Sequence, residues 1–208
     1  PRQVFYALES HNSDHSPRTT RREARTRLMG ACLSTATNPD NVEALRGVET
    51  FHELPAMNDS RGESFDFASL KGKVVLAANV ASKCGLTTKN YQDFAKLQDE
   101  FNTDDFVILA FPCNQFLFQE PFAANKACEF AQKRGFKGVV FEKVKVNGSK
   151  TSYVFDYLKK AAGVKRIEWN FGKFLIGKDG KVRKYYSSHT RPSRFAADVK
   201  LLLEEEAS

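Results

Sequence analysis

The chain has 208 residues, 41% of them hydrophobic and 12% aromatic, enough for one globular domain with its own core plus a tail. No run approaches the about 18 consecutive apolar residues that span a bilayer, and a net charge of +7 spread along the chain rather than gathered in one arm argues against a nucleic-acid-binding protein. Four cysteines, Cys32, Cys84, Cys113 and Cys128, and four histidines show neither metal-ligand spacing nor disulfide density, so no metal site is expected and a reducing compartment is the default.

Residues 1–45 are rich in Arg, Ser, Thr and Asn without periodicity and are expected to form a mostly disordered tail ahead of a folded domain over 46–208. Within the tail, "MGACLS" (29–34) matches the N-myristoylation pattern. Gly30 would be acylated if translation starts at Met29, with Cys32 placed for a second acyl chain; two chains anchor stably and one weakly. Arg18, Arg21, Arg22, Arg25 and Arg27 support the rival reading of an organelle transit peptide. The expected location is therefore the cytoplasm, at a membrane surface if the tail is acylated.

From about residue 46 the pattern becomes regular. "FDFASLKGKVVLAANVAS" predicts a short strand, a turn at Lys71-Gly72 and a buried strand over Val74–Val80. Thr87 or Thr88 is expected to cap a helix carrying Tyr91, Phe94, Leu97 and Phe101 at helical spacing. "FVILAFP" predicts a second buried strand stopped by Pro112, followed by a helix from Pro121 to near Gly135. "GVVFEKVKV" predicts a strand closed by Asn147-Gly148 and "SYVFDYLKKAAG" a helix with a glycine stop. "FGKFLIGKDGKVRKYY" predicts a hairpin turning at Asp179-Gly180, ahead of a last helix from about Pro192 through Leu203.

Alternating strands and helices followed by a hairpin and a helix indicate an α/β fold of thioredoxin-like type, a mixed central sheet flanked by helices. Sites in such folds lie where a strand ends and a helix begins, and Cys84 falls there. A free thiol titrating near pH 8.5 is only about 3% thiolate at pH 7, so a reactive cysteine needs help from its position. The unpaired N–H groups of the helix starting near Thr87 and the neighbouring Lys83 offer it. The plainer reading of a lone cysteine beside an apolar strand is inert core filler. Against that reading stand two loops: "FPCNQFLFQEP", with amides and a carboxylate just beyond a strand, and "IEWNFGKFL", which sets the only Trp beside Asn170.

"NVASKCGLT", "LAFPCNQFLFQEP", "KVNG" and "WNFGKFLIGKDGKV" together resemble the glutathione peroxidase family, in the family's order over about residues 50–204. The resemblance implies a thioredoxin-like fold and a catalytic tetrad at Cys84, Gln119, Trp169 and Asn170. It implies a thiol-dependent peroxidase reducing hydrogen peroxide and organic or lipid hydroperoxides through a cysteine sulfenic acid. No metal, haem or flavin is then required, and glutathione or thioredoxin is the thiol co-substrate. The chemistry accounts for the residue types, because the amide and indole N–H groups donate hydrogen bonds to sulfur and leaving oxygen without being acids that quench a thiolate. Thr87 stands where a dithiol reductase of this fold would carry the second cysteine of C-x-x-C, which favours peroxide reduction over disulfide exchange.

Family members with a resolving cysteine carry it at the position of Gln132. Cys128 lies one helical turn earlier and is a candidate resolving residue, with a buried helix cysteine as the alternative; Cys113 reads as structural. The short segment between Asn147 and Trp169 is similar to the monomeric phospholipid-hydroperoxide type, so a monomer and a peripheral membrane contact are expected. Leu117 and Phe122 stand where the family usually has glycine, and with Phe116 and Phe118 they could form an apolar rim beside the site. The alternative function is a peroxide sensor that relays the oxidation of Cys84 to a partner protein; a binding module without activity is a third.

Overall fold

The computed structural model describes residues 38–101 and 104–205. Gly30 and Cys32, the expected acylation positions, lie outside the described residues.

The strand Val74–Val80 (β3) is the one on which the rest assembles. Its run of Val, Leu and Ala is buried throughout, as a strand covered on both faces requires. One flank pairs in parallel with Phe106–Pro112 (β4), from Val74 opposite Phe106 to Val80 opposite Pro112. The other flank pairs antiparallel with Lys173–Ile176 (β6), which forms a hairpin with the edge strand Val182–Tyr186 (β7). Val139–Val140 (β5) closes the opposite edge, giving the order β5-β4-β3-β6-β7. A separate two-stranded ribbon joins Met57–Asn58 (β1) to Ser64–Phe65 (β2).

Side chains alternate across β3 and so divide the interior into two layers. Val74, Leu76, Ala78 and Val80 pack with Tyr91, Phe94 and Leu97 of the helix Thr87–Glu100 (α2), Ala131 of Ala124–Gln132 (α3), and Val199 and Leu202 of Ala196–Glu204 (α5). Val75 and Ala77 face the second layer, with Phe51, Phe67, Leu109, Phe111 and Phe141, and with Val154, Phe155 and Leu158 of Tyr153–Ala161 (α4). The mixed sheet and flanking helices agree with the fold read from the pattern. No helix among the described residues is long and apolar enough to cross a membrane.

Several local expectations differ. Ordered structure begins before the boundary at residue 46: a helix over Pro39–Ala44 (α1) packs on α4, with Asn41 buried and donating to the Thr151 carbonyl at 2.8 Å and to the Asp156 carboxylate. Residues Phe67–Leu70 form a 3₁₀ turn rather than strand, because the Asp66 side chain accepts from the Ala68 N–H and its carbonyl from Ser69 Oγ. The strand expected up to Val146 narrows to Val139–Val140, since the following N–H groups split between β4 and the β1 region: Phe141 donates to Ala110, Glu142 to Asn58 and Val144 to Pro112. Thr87 does not cap α2. It opens the helix, while its hydroxyl donates to the Ala81 carbonyl at 2.5 Å. The last helix is preceded by a 3₁₀ turn over Pro192–Arg194.

Candidate active site

Parallel pairing in register brings β3 and β4 to an end side by side, and the Cys113 N–H crosses over to the Val80 carbonyl at 3.0 Å. Two loops therefore start from one edge. The first, Ala81–Leu86, carries Cys84 up to α2: the Thr87 N–H bonds the Cys84 carbonyl at 3.0 Å and the Leu86 N–H lies 3.5 Å from Cys84 Sγ. The sulfur thus sits at the N-terminal turn of a 14-residue helix, with 8% of the residue exposed. That burial restricts which molecules can approach it.

The second loop, residues 113–121, is clipped to the first. Lys83 N–H donates to the Gln119 carbonyl at 2.9 Å, while the Glu120 carboxylate accepts from Ser82 N–H at 2.8 Å and Ser82 Oγ at 2.7 Å. Glu120 is itself buried, takes a third bond from the Phe122 N–H and is placed by Asn114 Oδ1, which accepts its N–H. Burial pushes its carboxyl above the ordinary glutamate range, against the opposing bonds from Ser82. Leu117 and Phe118, before Gln119, have φ of 50° and 53°, the left-handed region that costs a non-glycine residue about 1–2 kcal/mol. Of the two positions where the family usually has glycine, Leu117 thus adopts a glycine conformation and Phe122 does not.

A third segment, Trp169–Gly172, comes from the far end of β6. Asn79 of β3 holds it: its Nδ2 donates to the Trp169 carbonyl at 3.1 Å, its Oδ1 accepts from the Gly172 N–H at 2.9 Å, and its backbone carbonyl accepts from Phe171 at 2.7 Å. Asn170, fully buried, donates from Nδ2 to Gln119 Oε1 at 2.9 Å. Trp169 is half-buried, packs against both core layers and tilts against Phe116 at 5.7 Å between ring centroids. At the base, Asn147 links the two outer segments, bonding Ile167 through its side chain and Gln115 through its backbone.

Gln119 and Asn170 are therefore in direct contact, whereas Cys84 is linked to Gln119 only through the backbone bond of its neighbour Lys83, and Trp169 meets the Gln119 loop through Phe116. Asn79 and Glu120, which hold the segments in place, were not singled out from sequence; a polar residue inside the run "VVLAANV" was the available signal, because a buried amide must find partners. Cys113 is fully buried, and burial pushes its thiol upward. Cys128 lies half-buried on α3, packed against the layer that contains Cys84, and all three described cysteines are free thiols. Of the four side chains considered as an apolar rim, Phe116 is in the core, Phe122 is half-buried against Phe130, and Leu117 and Phe118 are exposed.

A family model described as "Glutathione peroxidase" matches residues 51–159. The chain is 45% identical over 161 residues to the glutathione peroxidase-like peroxiredoxin 2 of Saccharomyces cerevisiae, covering 75% of this chain and 98% of that protein. It is 45% identical over 152 residues to a probable phospholipid hydroperoxide glutathione peroxidase of Mesembryanthemum crystallinum, covering 71% and 89%. Against the mitochondrial glutathione peroxidase 1 of Chlamydomonas reinhardtii the identity is 42% over 180 residues, covering 84% and 87%. Among solved structures, the apo crystal structure of Trgpx superposes with a TM-score of 0.63 at 32% identity, over 77% of this chain and all of that one. A thioredoxin-like superfamily protein, SPOA0173, matches with a TM-score of 0.55 at 17% identity, over 74% of this chain and 97% of that one, a likeness of fold alone.

Proposed function

As a member of the glutathione peroxidase family, this chain is a thiol-dependent hydroperoxide reductase, and we propose that Cys84 is its peroxidatic sulfur, with Gln119, Trp169 and Asn170 as its hydrogen-bonding partners. The observation that carries this reading is the joining of three separated segments at one edge, with Cys84 at a helix N-terminus and the Gln119 and Asn170 side chains bonded to each other. In the reaction, the Cys84 thiolate attacks the terminal peroxide oxygen. An S–O bond forms, the O–O bond breaks, and the alcohol or water leaves after taking up a proton. The amide and indole N–H groups orient the sulfur and stabilise charge on the departing oxygen. A donor thiol then attacks the sulfenic sulfur and releases water, and a second thiol displaces the resulting mixed disulfide, regenerating Cys84. All electrons come from thiols in this scheme, without metal, haem or flavin, and the donor is glutathione or thioredoxin. Cys128 on α3 would enter it as the internal thiol that attacks the sulfenic sulfur if that helix partly unwinds; we take the one-cysteine route as the simpler proposal.

Intact-protein mass spectrometry after one equivalent of hydroperoxide, without added thiol, tests this scheme in wild type, Cys84→Ser and Cys128→Ser. The gain of one oxygen at Cys84 in both wild type and Cys128→Ser is expected, pointing to an external donor. Loss of two hydrogens in wild type, replaced by a trapped sulfenic acid in Cys128→Ser, would make Cys128 the resolving residue. Cys84→Ser should retain its fold and lose turnover by about 10³-fold or more; unchanged turnover would remove Cys84 from the mechanism.

A further inference from the structure

Helix α3 has little of its own to stand on. It runs for nine residues, fewer than the about 12–15 at which a helix begins to hold alone in water. Its N-cap is Ala123, whose side chain offers no bond, its first turn holds no carboxylate, and its buried residues are two alanines, Ala127 and Ala131. Contacts beyond its backbone bonds must therefore keep it in place.

A row of four side chains supplies them. The Phe130 ring of α3 lies edge-on to Tyr91 of α2 and tilts against Phe122, with 6.3 Å between ring centroids in each pair. Arg134 covers the Phe130 ring, its guanidinium carbon 3.4 Å from the centroid, while its Nη1 donates to the Phe130 carbonyl at 3.0 Å. At the other end, Lys83 Nζ stands 5.6 Å from the Phe122 centroid. Two rings thus sit between two cations, each contact within the range at which such groups attract. The ends of the row belong to different segments: Lys83 precedes Cys84 on the first loop, and Phe130 is two residues from Cys128 on α3. Cys84 and Cys128 are free thiols packed on one core layer, so a bond between their sulfurs requires α3 to shift against the Cys84 loop. The row joins the two parts that would have to shift.

We propose that Lys83, Phe122, Phe130 and Arg134 clamp α3 to the Cys84 loop and thereby set the class of thiol that reduces the enzyme: with Cys128 held in place, the sulfenic sulfur of Cys84 waits for an external thiol. The choice of thiol rests on the peroxidase reading above; the clamp itself does not. With the clamp released, Cys128 attacks the sulfenic sulfur. An S–S bond forms, the S–O bond breaks, and the Cys128 proton leaves with the hydroxyl as water.

The test compares wild type with Phe122→Ala, which removes a ring, and Phe122→Tyr, which keeps it. Phe122 is half-buried and its φ is not in the left-handed region, so both variants keep the fold. Hydrogen exchange of the full chain reads the clamp without peroxide: the amides of α3 are expected to exchange about tenfold faster in Phe122→Ala, with β3 unchanged and Phe122→Tyr like wild type. Intact-protein mass spectrometry after one equivalent of hydroperoxide, without added thiol, reads the consequence. Wild type and Phe122→Tyr should gain one oxygen, Phe122→Ala should lose two hydrogens, and Phe122→Ala combined with Cys128→Ser should again gain one oxygen. Equal exchange in wild type and Phe122→Ala would overturn the proposal. So would loss of two hydrogens by wild type, or a retained oxygen in Phe122→Ala despite its faster helix. If no protein takes up oxygen or forms a disulfide while the exchange still rises, the peroxidase reading fails and the clamp on α3 stands.

Discussion

Lys173 is fully buried in β6, and its Nζ donates to the carbonyls of Phe171 at 2.6 Å and Thr190 at 2.9 Å. Burial lowers its pKa from 10.5 to about 7, against the upward pull of Asp93 on α2, which is itself paired with Arg191. An unfolded chain keeps that proton to about pH 10.5, so between about pH 7 and 10.5 the unfolded state binds more protons than the native one and stability rises with pH. Below pH 7 both states are charged and the native state bears the full cost of a buried ammonium. Denaturant unfolding at pH 6.5 and 9.5 should therefore show wild type gaining more than about 1 kcal/mol relative to Lys173→Met as pH rises; a constant difference would mean that the ammonium is not desolvated. Asn79→Ala strips partners from the Trp169 carbonyl and the Gly172 N–H, and is expected to cost about 2–3 kcal/mol and to lower turnover about tenfold. Unchanged turnover in a stable variant would show that Trp169 and Asn170 are held by other contacts. Cys84, Gln119, Trp169 and Asn170, the residues proposed for the site, were singled out in sequence because each sits in a motif that resembles the family's. Asn79 and Glu120 were not, because their partners are backbone and hydroxyl groups 93 and 38 residues away.

The helices and buried strands were legible from periodicity, whereas the irregular elements depended on side-chain bonds that periodicity does not carry. The Asp66 turn is of that kind, and the shortened β5 depends on backbone N–H groups that divide between two distant segments, which periodicity does not carry either. Gly138 shows the same limit at β5: a Cβ added there would sit 2.1 Å from the Ile108 carbonyl oxygen of β4. Gly138→Ala must push the two strands apart, and a loss of about 3 kcal/mol is expected in equilibrium unfolding; a loss under about 0.5 kcal/mol would show that this edge yields freely. Helix α1 was read as part of the tail because six residues are too few to display a period. Its bonds through Asn41 to Thr151 and Asp156 make it part of the domain.

On the scale of the whole molecule, parallel first strands and an antiparallel terminal hairpin followed from connection lengths, but the insertion of β6 beside β3 is a long-range pairing with no local signature. That insertion brings the Trp169 segment to the Cys84 edge and places the sole tryptophan against both core layers. Tryptophan fluorescence and far-ultraviolet circular dichroism should therefore report one coincident unfolding transition; an earlier fluorescence transition would reveal the site loosening before the sheet. Asn147 has a consequence for how the site breathes. The loops of Cys84 and Gln119 are clipped to each other by Glu120, and the Trp169 segment is clipped to β3 by Asn79, so the proposed catalytic edge consists of two leaves with Asn147 as their common spine. Across the opening they meet through the Asn170–Gln119 hydrogen bond and the Phe116–Trp169 ring contact, each worth about 1 kcal/mol. Because Trp169 also packs on both core layers and Asn170 is fully buried, parting the leaves costs more than these two contacts, so the closed edge acts as a rigid frame around a nearly hidden sulfur.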